Sequence, residues 1–264
     1  MSRSASRSAS RSASRSARLT VLRPDWPVHP RIRSLVTTRW SGTSQPPFDS
    51  LNLGTHVGDS TDRVAVNRSR LAAQLEGADP VWLNQVHGTD VLRVTGKLHE
   101  PPVADASWTD QPGVACTVLS ADCLPVIVSD RHGTMVGAAH CGWRGLCHGV
   151  LERLLDALPV EPAELIAWLG PGISAGHYEV GAEVLEAFCS HLGSAARRVG
   201  FARNTRGRYQ CDLVALARWR LRSRGVPDVY GGDFCSFADT RFYSVRRDGR
   251  CGRMATLVWL EPQT

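Results

Sequence analysis

From about residue 35 the chain alternates short apolar runs with polar turns, and the length and period of each run separate strands from helices. Val114–Leu119, Leu124–Val128, Met135–Ala139 and Leu165–Leu169 are continuous, largely β-branched or aliphatic and of strand length, so they read as buried strands. Val36–Arg39 reads as a strand running into the loop Ser41-Gly42-Thr43. Residues 46–54 read as extended loop, and Val81-Trp82-Leu83 as a further short strand. Helical spacing takes over at Asp62–Leu75 (Val64, Val66, Leu71, Leu75) and at Leu146–Leu158, where Val150, Leu151, Leu154, Leu155 and Leu158 share one side. Val180–Leu192 and Leu213–Arg224 are also predicted helices, the second with Asp212 as N-cap. Near the end, Phe242–Arg246 and Met254–Leu260 flank Asp248-Gly249 and predict an antiparallel hairpin. Strands and helices intermix with no linker after residue 18, which predicts one α/β or α+β domain over residues 19–264.

Residues 2–17 are a different material, four copies of a Ser-Arg-Ser-Ala type unit. They carry too little apolar surface to offset the entropy of ordering, so residues 1–18 are expected to be a disordered tail. Five arginines sit there with no acid. The formal charge of +6 is therefore mostly a tail property, and the body is near neutral. That argues against a specific nucleic-acid partner. No apolar stretch approaches the ~20 residues of a membrane span. The eight cysteines sit in a long chain without a secretory apolar core at its start, so reduced thiols in a cytoplasmic protein are expected. Lys97 is the sole lysine, which leaves no Walker lysine and little scope for Schiff-base chemistry.

The densest chemistry lies in Ala121–Gly145. Cys123 stands just before one apolar run and His140 at the end of the next, and the turn Asp130-Arg131-His132-Gly133 joins the two. Strand ends are where α/β proteins place ligands. His87, in Asn84-Gln85-Val86-His87-Gly88, also follows a strand. Two imidazoles and a thiolate make a three-ligand zinc set with a fourth position open, the catalytic rather than the structural count. Cys123 and His140 alone also suit a nucleophile–base pair. Cys141, beside His140, should point to the opposite strand face and serve packing. No HExxH, CxxC or GxSxG is present, and His177-Tyr178-Glu179 lacks the downstream Pro-Cys-x-x-Cys of nucleobase deaminases.

Several segments in order carry a family pattern: Thr37-Thr38-Arg39 with Ser41-Gly42-Thr43, Leu51-Asn52-Leu53-Gly54, Asn84–Gly88, Ala121-Asp122-Cys123-Leu124-Pro125 and His140–Gly145. Leu169–Ile173 with Tyr178–Gly181, and Arg246–Gly249 with Gly252-Arg253, complete it. Over residues 35–260 the chain resembles the laccase-domain (YfiH-like) family. That family's names also include purine nucleoside phosphorylase, polyphenol oxidase and peptidoglycan editing factor. The resemblance implies a layered sandwich of mixed β-sheet and helices, similar to some cysteine-hydrolase-like domains. It also implies a zinc-dependent enzyme that phosphorolyses adenosine, inosine and methylthioadenosine and deaminates adenosine. The metal ligands would be His87, Cys123 and His140, with copper as the other candidate ion. Trp40-Ser41-Gly42 and Cys251-Gly252-Arg253 depart mildly from the family pattern.

On this reading Asp122 moves the proton, and Arg39, Arg144 and Arg247 clamp phosphate, since guanidinium groups pair with its oxygens bidentately. Asn52 and Gln85 are further expected substrate contacts. The partners are a purine nucleoside and phosphate, with the chain a monomer or homodimer. Three other readings compete. One is a metal-free Cys123–His140 hydrolase acting on an amide such as a peptidoglycan precursor. Another is a copper polyphenol oxidase, disfavoured by nine scattered histidines with no His-x-His. The last is a binding protein without activity.

Overall fold

The apolar runs in the middle of the chain build a sheet buried on both faces, and the remaining elements cover it. The computed structural model describes residues 18–262, so the disordered tail expected over residues 1–18 lies, but for Arg18, outside the described residues. The strands are Val21–Leu22 (β1), Ile32–Thr37 (β2), Asp79–Val81 (β3), Val91–Arg93 (β4), Ala106–Thr109 (β5), Val114–Ser120 (β6) and Leu124–Asp130 (β7). They continue with Val136–Cys141 (β8), Leu165–Leu169 (β9), Glu179–Val180 (β10), Phe201–Arg203 (β11), Tyr209–Cys211 (β12), Asp228–Gly231 (β13) and Met254–Leu260 (β14). The helices are Thr61–Ala72 (α1), Trp143–His148 (α2), Val150–Ala157 (α3), Ala182–Leu192 (α4), Ala195–Gly200 (α5), Leu213–Ser223 (α6) and Val245–Asp248 (α7).

A six-stranded sheet runs β13-β9-β7-β8-β5-β4 and a five-stranded sheet runs β1-β2-β14-β6-β3. β10-β12-β11 form a small third sheet. Side-chain alternation sets the layers. In β7, Leu124, Val126 and Val128 enter the core shared with α2 to α6, while Ile127 enters the core between the two large sheets. In β6, Cys116 and Val118 face that inter-sheet core, and Ala115 and Leu119 face a third core with Leu71 and Leu75 around α1. The order α1, five-stranded sheet, six-stranded sheet, helices is the layered single-domain α/β sandwich expected. Because the central strands are covered on both faces, they read as continuous apolar runs rather than alternating ones. No described helix is long and apolar enough to cross a membrane.

Three local expectations need correction. The helix drawn over Leu146–Leu158 is two helices, because Gly149 turns left-handed (φ +103°) between α2 and α3. Residues 242–246 are not a strand. Ser244 caps a short helix there by accepting a hydrogen bond from the Arg247 N–H, and β14 pairs with β2 and β6 instead of forming a hairpin. The helix expected from Val180 begins at Ala182, because Glu179 and Val180 pair with Gln210 and Tyr209. Asp212 does cap α6, accepting from the Ala215 N–H at 2.8 Å.

The β7–β8 hairpin positions the chemistry. Asp130, buried at the turn, accepts hydrogen bonds from Thr134 Oγ and N and from Met135 N (2.8, 2.8 and 3.0 Å). Those bonds and the left-handed Gly133 fix a register in which Leu124 faces Cys141 and Pro125 faces His140. Cys123 and His140 therefore meet at the end of the hairpin opposite its turn.

Candidate metal centre and its cavity

Cys123 enters this centre from the start of β7, His140 from the end of β8, and His87 from the loop between β3 and β4. Cys123 Sγ lies 3.7 Å from His87 Nε2, and the donor atoms of all three lie within 4.8 Å of one another. Tetrahedral zinc with ordinary Zn–S and Zn–N bonds separates sulfur and nitrogen by about 3.6 Å. The Cys123–His87 spacing already matches, and the two-imidazole, one-thiolate set suits zinc and also copper. His140 is buried, Cys123 half-buried and His87 exposed, so the three donors face outward into a cavity.

Asp105 organises the centre, and the sequence reading gave it no role. Its fully buried carboxylate accepts hydrogen bonds from the Val86, His87 and Gly88 N–H groups at 3.1, 3.0 and 2.7 Å. Its Oδ1 also lies 2.9 Å from His140 Nδ1, and its carbonyl accepts from the His140 N–H at 2.7 Å. A proton on Nδ1 directed at Asp105 leaves Nε2 as the ligand atom, the usual carboxylate–histidine arrangement behind a metal. One carboxylate thus aligns His140 and holds the loop that presents His87. That loop needs holding, because His87 has φ +61° and such left-handed non-glycine residues cost about 1–3 kcal/mol.

Gly142 makes room for the cluster. A Cβ there would stand 2.7 Å from His87 Cδ2 and 3.1 Å from Cys123 Sγ. Gly142→Ala is expected to push His87 aside. Overpacking of about 1–3 kcal/mol, relieved at the ligands, lowers metal affinity about tenfold or more. Metal titration of the purified variant checks this, and unchanged affinity would contradict the packing argument.

Burial raises the Cys123 thiol, but His140 and His87 outweigh it and bring the pKa down to about 6. Burial lowers the His140 imidazole, yet the Cys123 thiolate and Asp105 push it up to about 9. Burial likewise raises the Asp105 carboxyl, and its bonds from His140 and the Gly88 N–H more than reverse that. Between about pH 6 and 9 the side chains by themselves favour thiolate and imidazolium, and a metal would displace the imidazolium proton. In chelator-treated protein, the thiolate fraction should rise with pH through about 6. Site-resolved alkylation of Cys123 should therefore reach half its plateau near that pH. A midpoint near the ordinary thiol value of about 8.5 would rule the pairing out.

The cavity beside the cluster has a volume of about 570 Å³, within the ~300–1,000 Å³ of small-molecule sites. One wall is apolar (Leu119, Ile173, Tyr178, Val245) and another is basic (His56, Arg246, Arg253). Arg246 Nη1 donates to the Glu179 carbonyl at 2.9 Å with its guanidinium over the Tyr178 ring. Arg253 Nη1 donates to the Cys251 and Gly252 carbonyls at 3.0 Å. Neither has a carboxylate partner among the described residues. Burial, then Arg253 and Arg68, hold the His56 imidazole below its usual pKa.

The expected substrate residues fare unequally. Gln85 lines the cavity, with its amide paired to the backbone N–H and carbonyl of Leu119. Asp122 lines it too, but its carboxylate already accepts from Ser236 Oγ and from the Arg246 N–H, so it anchors α7. Asn52 is buried outside the cavity with its amide fully used. It donates to the Gly54 carbonyl and Asp59 and accepts from the Gly54 and Arg253 N–H groups. Arg39 packs over Tyr243 and bonds to Asp49 and Asp248. Arg247 ties together the Ser236, Phe237 and Phe242 carbonyls and Asp248. Arg144 is exposed over Trp143. None of these three arginines lines the cavity. Arg246 and Arg253, which belonged to the family pattern without a role, are the arginines that do line it. Cys141 is buried on the helix side of β8, as alternation requires, and all eight cysteines are free thiols.

Residues 33–261 match a family model described as multi-copper polyphenol oxidoreductase laccase. A purine nucleoside phosphorylase of Pseudomonas aeruginosa is 52% identical, with 91% of this chain and 98% of that protein covered. The purine nucleoside phosphorylase YfiH of Escherichia coli is 46% identical over 90% of this chain and 97% of its own length. A crystal structure of a Neisseria meningitidis protein superimposes with TM-score 0.88 at 46% identity, covering 92% of this chain and 99% of that one. YlmD from Geobacillus stearothermophilus gives 0.83 at 30%, covering 93% and 97%.

Proposed function

The chain belongs to the family described as multi-copper polyphenol oxidoreductase laccase, and from that membership and its cavity we propose that it is a cytoplasmic, zinc-dependent purine nucleoside phosphorylase. Its substrates are adenosine, inosine and methylthioadenosine, cleaved by phosphate to free base and pentose 1-phosphate. The proposal includes deamination of adenosine, with water attacking C6 of the base and the 6-amino group leaving as ammonia to give inosine. The family members described above that are named purine nucleoside phosphorylases support the reaction class. The observation that carries the reading is a pair of guanidinium groups, without carboxylate partners among the described residues, in the same cavity as a His-Cys-His cluster.

Zinc on His87, Cys123 and His140 supplies Lewis-acid chemistry when bound. The residues of the chain do the rest. Leu119, Ile173, Tyr178 and Val245 give a purine ring an apolar seat. Arg246 and Arg253 hold phosphate, because each carries a positive charge that no carboxylate among the described residues neutralises. Held there, phosphate is presented to ribose C1′ without the entropy loss of a free collision. His56, kept neutral by burial and then by its basic neighbours, is able to accept a proton from the bound phosphate or ribose. Asp122 holds Arg246 by its backbone, and Asn52 holds Arg253 in the same way.

Arg253→Ala tests this assignment. Loss of charge-assisted hydrogen bonds of about 1.5–3 kcal/mol should raise the phosphate KM about 10–100-fold and leave the nucleoside KM nearly unchanged. An unaltered phosphate KM would remove Arg253 from the phosphate site.

A second reading rests on the Cys123–His140 pairing, in which the thiolate attacks an amide and the imidazolium protonates the leaving group. Chelation separates the two readings. The phosphorylase loses its activity without metal, and a thiol hydrolase keeps it.

A further inference from the structure

We infer that Cys147, His148 and His191 form a second metal-ion site, outside the cavity, that takes a borderline or soft ion such as Zn2+ and clips α2 to α4. Their donor atoms lie within 4.8 Å of one another, and the two imidazole rings are 4.7 Å apart between centroids, tilted by 54°. Both histidines are exposed, so their rings can adjust toward zinc geometry without disturbing the core.

Two features point to a ligand rather than to idle surface groups. His191 Nδ1 lies 3.0 Å from the Ala187 carbonyl one turn back, so its proton points there and Nε2 is left with its lone pair outward. A backbone carbonyl behind a metal-ligating histidine is the commonplace supporting contact. Neither His148 nor His191 has a carboxylate within ion-pair distance among the described residues, so their proximity is not explained by a shared counter-charge. The thiol comes from the inner side: Cys147 is buried while both histidines face solvent. Neighbouring residues on a helix normally diverge by about 100°. Cys147 and His148 instead converge where α2 ends and Gly149 turns left-handed.

Binding displaces the Cys147 proton and releases it to solvent, and a water completes the coordination. The clip has a structural consequence. α2 begins next to Gly142, which abuts His87 and Cys123, so fixing its far end against α4 steadies one wall of the centre.

The test uses the full chain loaded with Zn2+, and separately with Co2+, then dialysed. Wild type should retain two equivalents per chain, His87→Ala one, and His87→Ala/His191→Ala none. In the His87→Ala background the thiolate-to-cobalt charge-transfer band and the Zn2+-dependent rise in Tm should both vanish with His191→Ala and with His148→Gln. His191 and His148 are exposed, so these variants should fold, and circular dichroism checks that they do. His87→Ala protein that retains no metal would overturn the inference. So would an equivalent that survives both histidine substitutions.

Discussion

Asp105→Asn is expected to lower folding stability by about 3 kcal/mol and metal affinity by about 10–100-fold. The substitution preserves shape and removes a lone-pair face. Asp105 receives four hydrogen bonds, three from successive backbone N–H groups and one from His140. An amide oxygen can serve only one side of that set, and its NH2 group then confronts donors. Asp105 is fully buried, so the mismatch at its side chain is not relieved by water. His140 is freed to rotate, and the left-handed loop at His87 loses the bonds that hold it. Denaturant midpoints and competition with a chromophoric chelator read the two effects. If both stay at their wild-type values, Asp105 does not organise the centre.

His87→Ala is expected to leave a folded protein whose phosphorolysis is reduced about 10³-fold, because Lewis-acid stabilisation is worth several kcal/mol and each 1.36 kcal/mol is a tenfold change in rate. His87 is exposed and its ring is no part of a core, so stability should change little. Two donors, Cys123 and His140, remain and do not complete the three-ligand set. On the same sample, nucleoside turnover should fall as metal content drops by the one equivalent held at His87, Cys123 and His140. Full activity with metal lost would mean that the ion has no part in the chemistry.

The clustering of His87, Cys123 and His140 was legible because each flanks an apolar run, Cys123 just before one and the two histidines just after, and chain order alone brought Cys123 and His140 into one hairpin. Asp105 was not, because its partners lie some twenty residues upstream and thirty-five residues downstream, and Ala104-Asp105-Ala106 has no local pattern. Which arginines line the cavity stayed hidden for a related reason. A guanidinium reads alike in sequence whether it faces a cavity or ties a loop together. Arg247 spends its donors on carbonyls and Asp248, and its neighbour Arg246 reaches the cavity. In the fold, the apolar runs located the central strands. Partner choice stayed hidden where the pairing is remote, so β14 read as half of a hairpin although it lies between β2 and β6. Ser244 was the overlooked local signal there, a helix cap three residues before Arg247.

The most direct test of the account is release of hypoxanthine from inosine by the zinc-loaded protein, measured with and without phosphate and with and without chelator. The account predicts base release, with equimolar ribose 1-phosphate, only when phosphate and metal are both present. Base release that ignores phosphate, or that survives complete removal of metal, would contradict it.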